Sequence, residues 1–222
     1  MTNILPWSYS SLSAFETCPR RFKLTRITKE VKEPPSEAMN HGNEVHKALE
    51  NHINGVTPLP DKYKSYRNMV DRVIAAPGDK LVEFKFALTS SYKPTTFFAP
   101  DAWVRGVIDL GVVNDTSAVI LDWKTGKPKP DADQLKLFAV AAFAQYPHME
   151  KVKTGYVWLA HNKIDSCTFK KENVAEIWQE FIPRVVRLTR AAEKDNFPPK
   201  PSGLCGKWCP VTNDKCEFSG RI

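Results

Sequence analysis

The chain has 222 residues, a net charge of +7, 42% hydrophobic residues and five cysteines. That much apolar material supports a core and excludes a globally disordered chain. No apolar run approaches the roughly 20 residues that cross a bilayer, and the opening MTNILPWSYSS has neither the basic nor the apolar region of an export signal. A soluble, intracellular (cytoplasmic) protein is expected.

Residues 8–29 read as helix, opened by the serine-rich cap SYSS, with Pro19 imposing a kink or break. Six basic residues (Arg20, Arg21, Lys23, Arg26, Lys29, Lys32) and one acid, Glu30, follow one another there. Such a cluster suits a polyanion, phosphate above all, and equally a solvated helix face. Helices are predicted over 39–54 and 61–75, separated by VTPLPD. Strands follow in LVEFKFALT, AWVRGVIDLGVV and AVILDWKT, with NDTS as the turn between the last two. After the loop GKPKPDAD come an Ala-rich helix over 131–146, a strand pair (KTGYVWLA, KIDSCTFK) and a long helix over 172–195 that Pro183 bends or breaks. The order predicts a mixed α/β (α+β) fold. One domain is expected over 1–222: a helical portion over 8–75, a core over 81–195 and a Cys-rich tail over 196–222.

The third strand ends in Asp122 and Lys124, which share a face because side chains two apart on a strand point the same way. A hairpin through NDTS brings Asp109, set in an otherwise apolar strand, near Asp122. Two such carboxylates raise each other's pKa unless a cation sits between them, and a hard divalent ion resolves the conflict. Lys124 beside them could orient a water or offset charge developing on a phosphate. An Asp-Lys ion pair at a fraying strand end is the plainer alternative. Glu83 either joins this site or faces solvent, and His46 is either a ligand or an ordinary helical histidine.

Gly42-x-x-x-His46, Gly106-x-x-Asp109, Asp122-x-Lys124 and Gln134, in that order, resemble the PD-(D/E)xK nucleases of the RecB-like branch. That branch includes the RecB and AddB nuclease domains, CRISPR-associated spacer-acquisition nucleases and phage exonucleases. The opening SYSSLSAFETCPRRFKL resembles it too. The resemblance implies a restriction-endonuclease-like core: a mixed central sheet flanked by helices. It implies Mg²⁺ or Mn²⁺ on His46, Asp109, Asp122 and the Trp123 carbonyl, with Lys124 catalytic and Gln134 in the catalytic group; Glu83 is grouped with them on its own reading as a strand acid that joins the site. Gln134 would help to hold the substrate strand. Position 138 departs from the pattern, Phe138 standing where relatives have tyrosine, so a hydroxyl contact is lost and stacking on DNA is what remains. The implied activity is DNA hydrolysis, as an exonuclease on single-stranded or end-resected DNA in replication, recombination or repair. The alternative is a DNA-binding or assembly module with a nuclease fold and no turnover. Arg20, Arg21, Lys23 and Arg26 would guide the DNA. A replication or recombination protein, or further copies of the chain, are the other partners the resemblance allows, and its stand-alone size is compatible with a phage or a CRISPR-associated gene product.

An odd cysteine count without an export signal argues against a disulfide framework. Three cysteines (Cys205, Cys209, Cys216) crowd the last 18 residues, and Cys18 lies nearly 190 residues upstream of them. In some relatives, one N-terminal and three C-terminal cysteines hold a [4Fe–4S] cluster, and the resemblance implies the same here; the spacing departs from the commonest form. Zinc is the competitor on four thiolates, and unliganded cysteines are the plainer reading. Cys167, inside a predicted strand, is expected in the core.

Overall fold

The computed structural model describes residues 6–129 and 131–220. Residues 1–5, at the start of the stretch read for an export signal, and Pro130, in the predicted loop, lie outside them. The chain divides into two compact units, Ser36–Trp178 and Met1–Pro35 with Gln179–Ile222.

In the unit formed by the two chain ends, α1 (Tyr9–Thr17) opens with a capping box. The Ser8 hydroxyl accepts from the Ser11 amide, and Ser11 reaches back to the Ser8 amide. The helix stops at Cys18, which is extended because the next residue is proline. Pro19 then begins α2 (Pro19–Phe22), which runs into a π-helical turn over Lys23–Ile27. Phe15, Phe22 and Phe197 pack ring against ring, with centroids 5.8–6.4 Å apart. Pro183 does not break its helix, which runs over Val174–Glu193.

The other unit is a six-stranded mixed sheet flanked by helices. It begins with α3 (Glu37–Ile53), a 3₁₀ turn (Asp61–Tyr66) and α4 (Arg67–Ile74). The strands are β1 (Asp79–Leu88), β2 (Pro94–Thr95), β3 (Val104–Val113), β4 (Ser117–Lys124), β5 (Lys151–Trp158) and β6 (Lys163–Lys170). Their spatial order is β2-β1-β3-β4-β5-β6. All neighbours are antiparallel except β4 and β5. The parallel pair is joined through α5 (Asp133–Gln145), the crossover that parallel strands require. α5 is apolar nearly all round, and eight of its residues are buried. Val45 and Leu49 of α3, with Met69 and Val70 of α4, form one core with Leu110, Leu121, Trp123 and Val157 of the sheet. Phe84, Phe86, Ile108 and Ile120 gather instead with Ala141 and Ala142 of α5.

Those two cores reveal an irregularity. Val82 packs with α3 and α4, whereas Phe84 and Phe86 pack with α5. On a regular strand, residues two apart share a face. The reversal falls at Glu83, whose φ is +49°. On β3, Leu110 and Ile108 part company in the same way, so the reversal there falls at Asp109.

Cys167 corrects an expectation: it is exposed, because β6 is an edge strand with little of its surface covered. Gly106 is required by packing. It stands opposite Phe86, and a Cβ there would lie 2.4 Å from the Phe86 ring. Phe86 in turn meets Phe138 edge-on at 6.3 Å. Gly106→Ala is therefore expected to cost about 1–3 kcal/mol by overpacking. Urea denaturation checks this; an unchanged midpoint would show that the ring moves aside freely.

Candidate active site

The register across three strands assembles the acids. Val82 pairs with Leu110 and Phe84 with Ile108, which sets Glu83 opposite Asp109. The β3–β4 ladder ends at Leu110 and Leu121, so Asp109 and Asp122 occupy the next row. Tyr156 of β5 pairs with Asp122 in the same row. Beyond Leu121 the backbones of β3 and β4 no longer pair. The Trp123 amide instead donates to Asp109 Oδ2 at 2.7 Å. The sheet forks there, and the fork is the site.

His46 descends from α3. Its Nε2 lies 2.9 Å from the Trp123 carbonyl oxygen and its Nδ1 lies 3.5 Å from Asp109 Oδ2. Both nitrogens face acceptors, an arrangement the imidazolium satisfies fully. Burial opposes that charge, but the hydrogen bond and charge of Asp109, the charge of Asp122 and the Trp123 carbonyl outweigh it, so the pKa is raised. His46, Glu83 and Asp109 bring one ligand atom each to within 4.8 Å of one another. Burial, then Asp109, raise Glu83 as well.

Asp122 is 3% exposed. Its Oδ1 accepts from Gln134 Nε2 at 2.9 Å. Its Oδ2 is buried with the Lys124 ammonium 2.5 Å away but off the directions of a sound hydrogen bond. Gln134 Oε1 accepts from Lys124 at 3.0 Å, which closes a triangle of Asp122, Lys124 and Gln134. Lys124 also lies 5.0 Å over the Tyr156 ring. Burial first, then Asp109, push Asp122 up to about 6, against the pull of Lys124 and His46.

The strand pattern sets Asp109, Asp122 and Lys124 together, the resemblance adds His46, Trp123 and Gln134, and Glu83 is left open; the structure brings all seven to one place. Gln134 spends both ends of its amide on Asp122 and Lys124 rather than reaching for a substrate strand. Glu83 faces the site, not solvent. Phe138 is a correction: it is 2% exposed and wedged against Phe86, so it cannot stack on DNA. Tyr156 was missed; only the parallel register of β4 with β5, which the Ala-rich crossover helix hints at, could have found it.

The donor set fits a hard divalent cation: oxygen-rich, with one imidazole, and with a buried carboxylate oxygen lacking a sound hydrogen bond.

In the other unit, Cys18, Cys205, Cys209 and Cys216 line one cavity, with Arg20 and Arg21 on its wall. Burial pushes the Cys209 thiol up, with Cys18 and Cys205 adding to the shift and Arg21 opposing it. The basic cluster is largely neutralised. Arg20 pairs with Glu217 at 3.3 Å, Arg21 with Glu33 at 2.7 Å and Lys23 with Asp195 at 2.8 Å. Arg26 lies 3.9 Å from Glu33.

The sequence model of the PD-(D/E)XK nuclease superfamily matches residues 6–214. Among solved structures, the chain is similar to a candidate exonuclease from Eubacterium rectale, with a TM-score of 0.54 and 12% identity, covering 91% of this chain and 86% of that one. SSO0001 matches with a TM-score of 0.42 and 15% identity over 89% of this chain and 80% of that one. No curated protein matches.

Because the folded chain holds the Asp122 proton more tightly than its ordinary value of 3.8 allows, ionisation costs stability. That cost grows as pH rises from about 4 to about 6 and is fully present at neutral pH. Asp122→Asn is expected to raise metal-free stability at neutral pH by about 1–3 kcal/mol, with the advantage gone below about pH 4. Urea melts in EDTA across pH measure it. A less stable variant at neutral pH would mean that the lost Lys124 contact dominates.

Proposed function

Because the chain belongs to the PD-(D/E)XK nuclease superfamily, we propose that it is a metal-dependent exonuclease on single-stranded or end-resected DNA, acting in replication, recombination or repair. The observation that carries the reading is the Asp122–Lys124–Gln134 triangle beside the His46, Glu83 and Asp109 ligand group.

Mg²⁺ or Mn²⁺ would be held by His46, Asp109, Asp122 and the Trp123 carbonyl, and by Glu83. When bound, the ion lowers the pKa of water and offsets charge on the phosphate. The chain's own groups do the rest. Gln134 holds Lys124 and Asp122 in fixed relation, so the ammonium stands where an attacking water and a phosphoryl oxygen can meet it. Tyr156 supports the ammonium from below. Trp123 fixes the Asp109 carboxylate through its amide.

We expect end-labelled DNA to be degraded with Mg²⁺ or Mn²⁺ and spared in EDTA. Asp122→Asn and Lys124→Ala should each lower the rate at least about 100-fold while DNA binding persists. Binding without cleavage in the native chain under any divalent metal would leave the turnover-free module as the reading.

The four cysteines at one cavity support a [4Fe–4S] cluster that ties together two chain ends nearly 190 residues apart. Zinc on the same four thiolates is the competing occupant. Anaerobically purified protein is expected to be brown with roughly four irons and four sulfides per chain, lost in Cys209→Ser together with thermal stability. Colourless protein carrying one zinc would overturn the cluster.

A further inference from the structure

The connection between β1 and β3 takes no part in the site above, yet it is built to hold a shape. β2 within it pairs Thr95 with Ala87 and Pro94 with Leu88. Tyr92, with φ +62°, stacks on Trp178 at 4.6 Å and meets Trp103 at 5.9 Å. The Thr89 amide donates to the Lys93 carbonyl at 2.8 Å, and the Thr95 hydroxyl donates to Asp101 at 3.0 Å.

What this braced turn presents is aromatic and cationic. Phe98 is 80% exposed, and its ring lies edge-on to Phe97 at 5.1 Å. Over Phe97 sit the Lys85 ammonium at 5.9 Å and the Arg105 guanidinium at 5.6 Å. Among the described residues neither cation has an acidic partner, in contrast to Arg20, Arg21 and Lys23. Two like charges drawn to one ring repel each other, and an anion beside them removes that cost.

Their place on the sheet says which anion. Lys85 stands two residues from Glu83 on β1, and Arg105 stands four from Asp109 on β3. Lys85 pairs with Val107, and Ala87 pairs with Arg105. Phe84 and Phe86 face α5, as does Gly106 opposite Phe86, so Lys85 and Arg105 between and beside them face the α3 side, where His46 meets Glu83 and Asp109, about 7 and about 13 Å along the strands from the two carboxylates. An extended strand with its scissile phosphate at the carboxylates would pass here with its next nucleotides.

We propose that Phe98, with Lys85 and Arg105, grips single-stranded DNA one to two nucleotides from the scissile phosphate: the ring stacks on an unpaired base and the cations take the flanking phosphates. This rests on the nuclease reading for the position of the scissile phosphate. Stacking demands an unpaired base, so the platform selects single strands and frayed ends over intact duplex.

The test is anisotropy of a labelled oligothymidylate with the full chain in EDTA, where nothing is cut. Phe98→Ala is expected to weaken binding about 5- to 100-fold, with Phe98→Trp close to native. Arg105→Ala should lower the slope of log affinity against log salt by about 0.7. An abasic site at the contacted position should abolish the difference between native and Phe98→Ala. Phe98 is exposed, and circular dichroism confirms that its variants fold. Equal affinity of native and Phe98→Ala, or an equal loss on intact and abasic strands, overturns the platform. Cleavage by the native chain in Mn²⁺ separates the two readings. Cutting that Phe98→Ala leaves untouched sinks the platform alone. Phe98-dependent binding without cutting sinks the nuclease reading, and with it the one- to two-nucleotide spacing, while the stacking itself stands; neither binding nor cutting sinks both.

Discussion

Three carboxylates in one transverse row of a sheet is the constraint from which the rest of the site follows. Glu83, Asp109 and Asp122 occupy adjacent strands at matching positions, where directly opposed like charges repel. The chain tolerates the row through positive charge delivered from both sides. His46 comes down from α3 between Asp109 and the Trp123 carbonyl. Lys124 comes from the strand itself and is steadied by Gln134 and Tyr156. Even so, burial leaves Asp122 with a raised pKa, so the metal-free site remains short of positive charge.

The backbone shows the same strain. Glu83 adopts a left-handed conformation that costs a glutamate about 1–3 kcal/mol and is maintained only where the surroundings enforce it. What enforces it is the two-sided core: Val82 is claimed by α3 and α4, while Phe84 and Phe86 are claimed by α5. The reversal at Glu83 and Asp109 lets both flanking segments bury their apolar residues and leaves the two acids at the pivot. Gly106 completes the arrangement by making room for Phe86, which lets β1 and β3 stay in register up to the row. The site is thus positioned by packing on both faces, well before any ligand is considered.

Much of this was legible in the sequence, for physical reasons. The hairpin through NDTS fixed the opposition of Asp109 and Asp122, because register in an antiparallel pair follows from the turn. Pro19 and the serine cap marked where α1 begins and ends. What sequence could not give is long-range burial. Phe138 was expected to stack on DNA because the family pattern has an aromatic hydroxyl there, but α5 is covered nearly all round. Cys167 looked internal because it alternates within a strand, but that strand is the uncovered edge. Glu83 stayed ambiguous because alternation alone cannot register a reversal of faces. Tyr156 depended on a parallel pairing that no local pattern specifies.

Charge compensation also separates the two basic regions. The N-terminal cluster stands out in the sequence by its local density of basic residues, yet Arg20, Arg21 and Lys23 each meet a carboxylate of their own unit. Such partly exposed pairs contribute little to stability individually, but they neutralise the field that a phosphate chain would feel. Lys85 and Arg105 are isolated residues in their strands and would attract no notice by composition. They converge on Phe97 with no acidic partner among the described residues, on the sheet face where His46 meets Glu83 and Asp109. On the proposed platform, a strand passing along β1 and β3 toward the fork would meet these cations before the carboxylates, where a metal ion would be needed to reverse the sign.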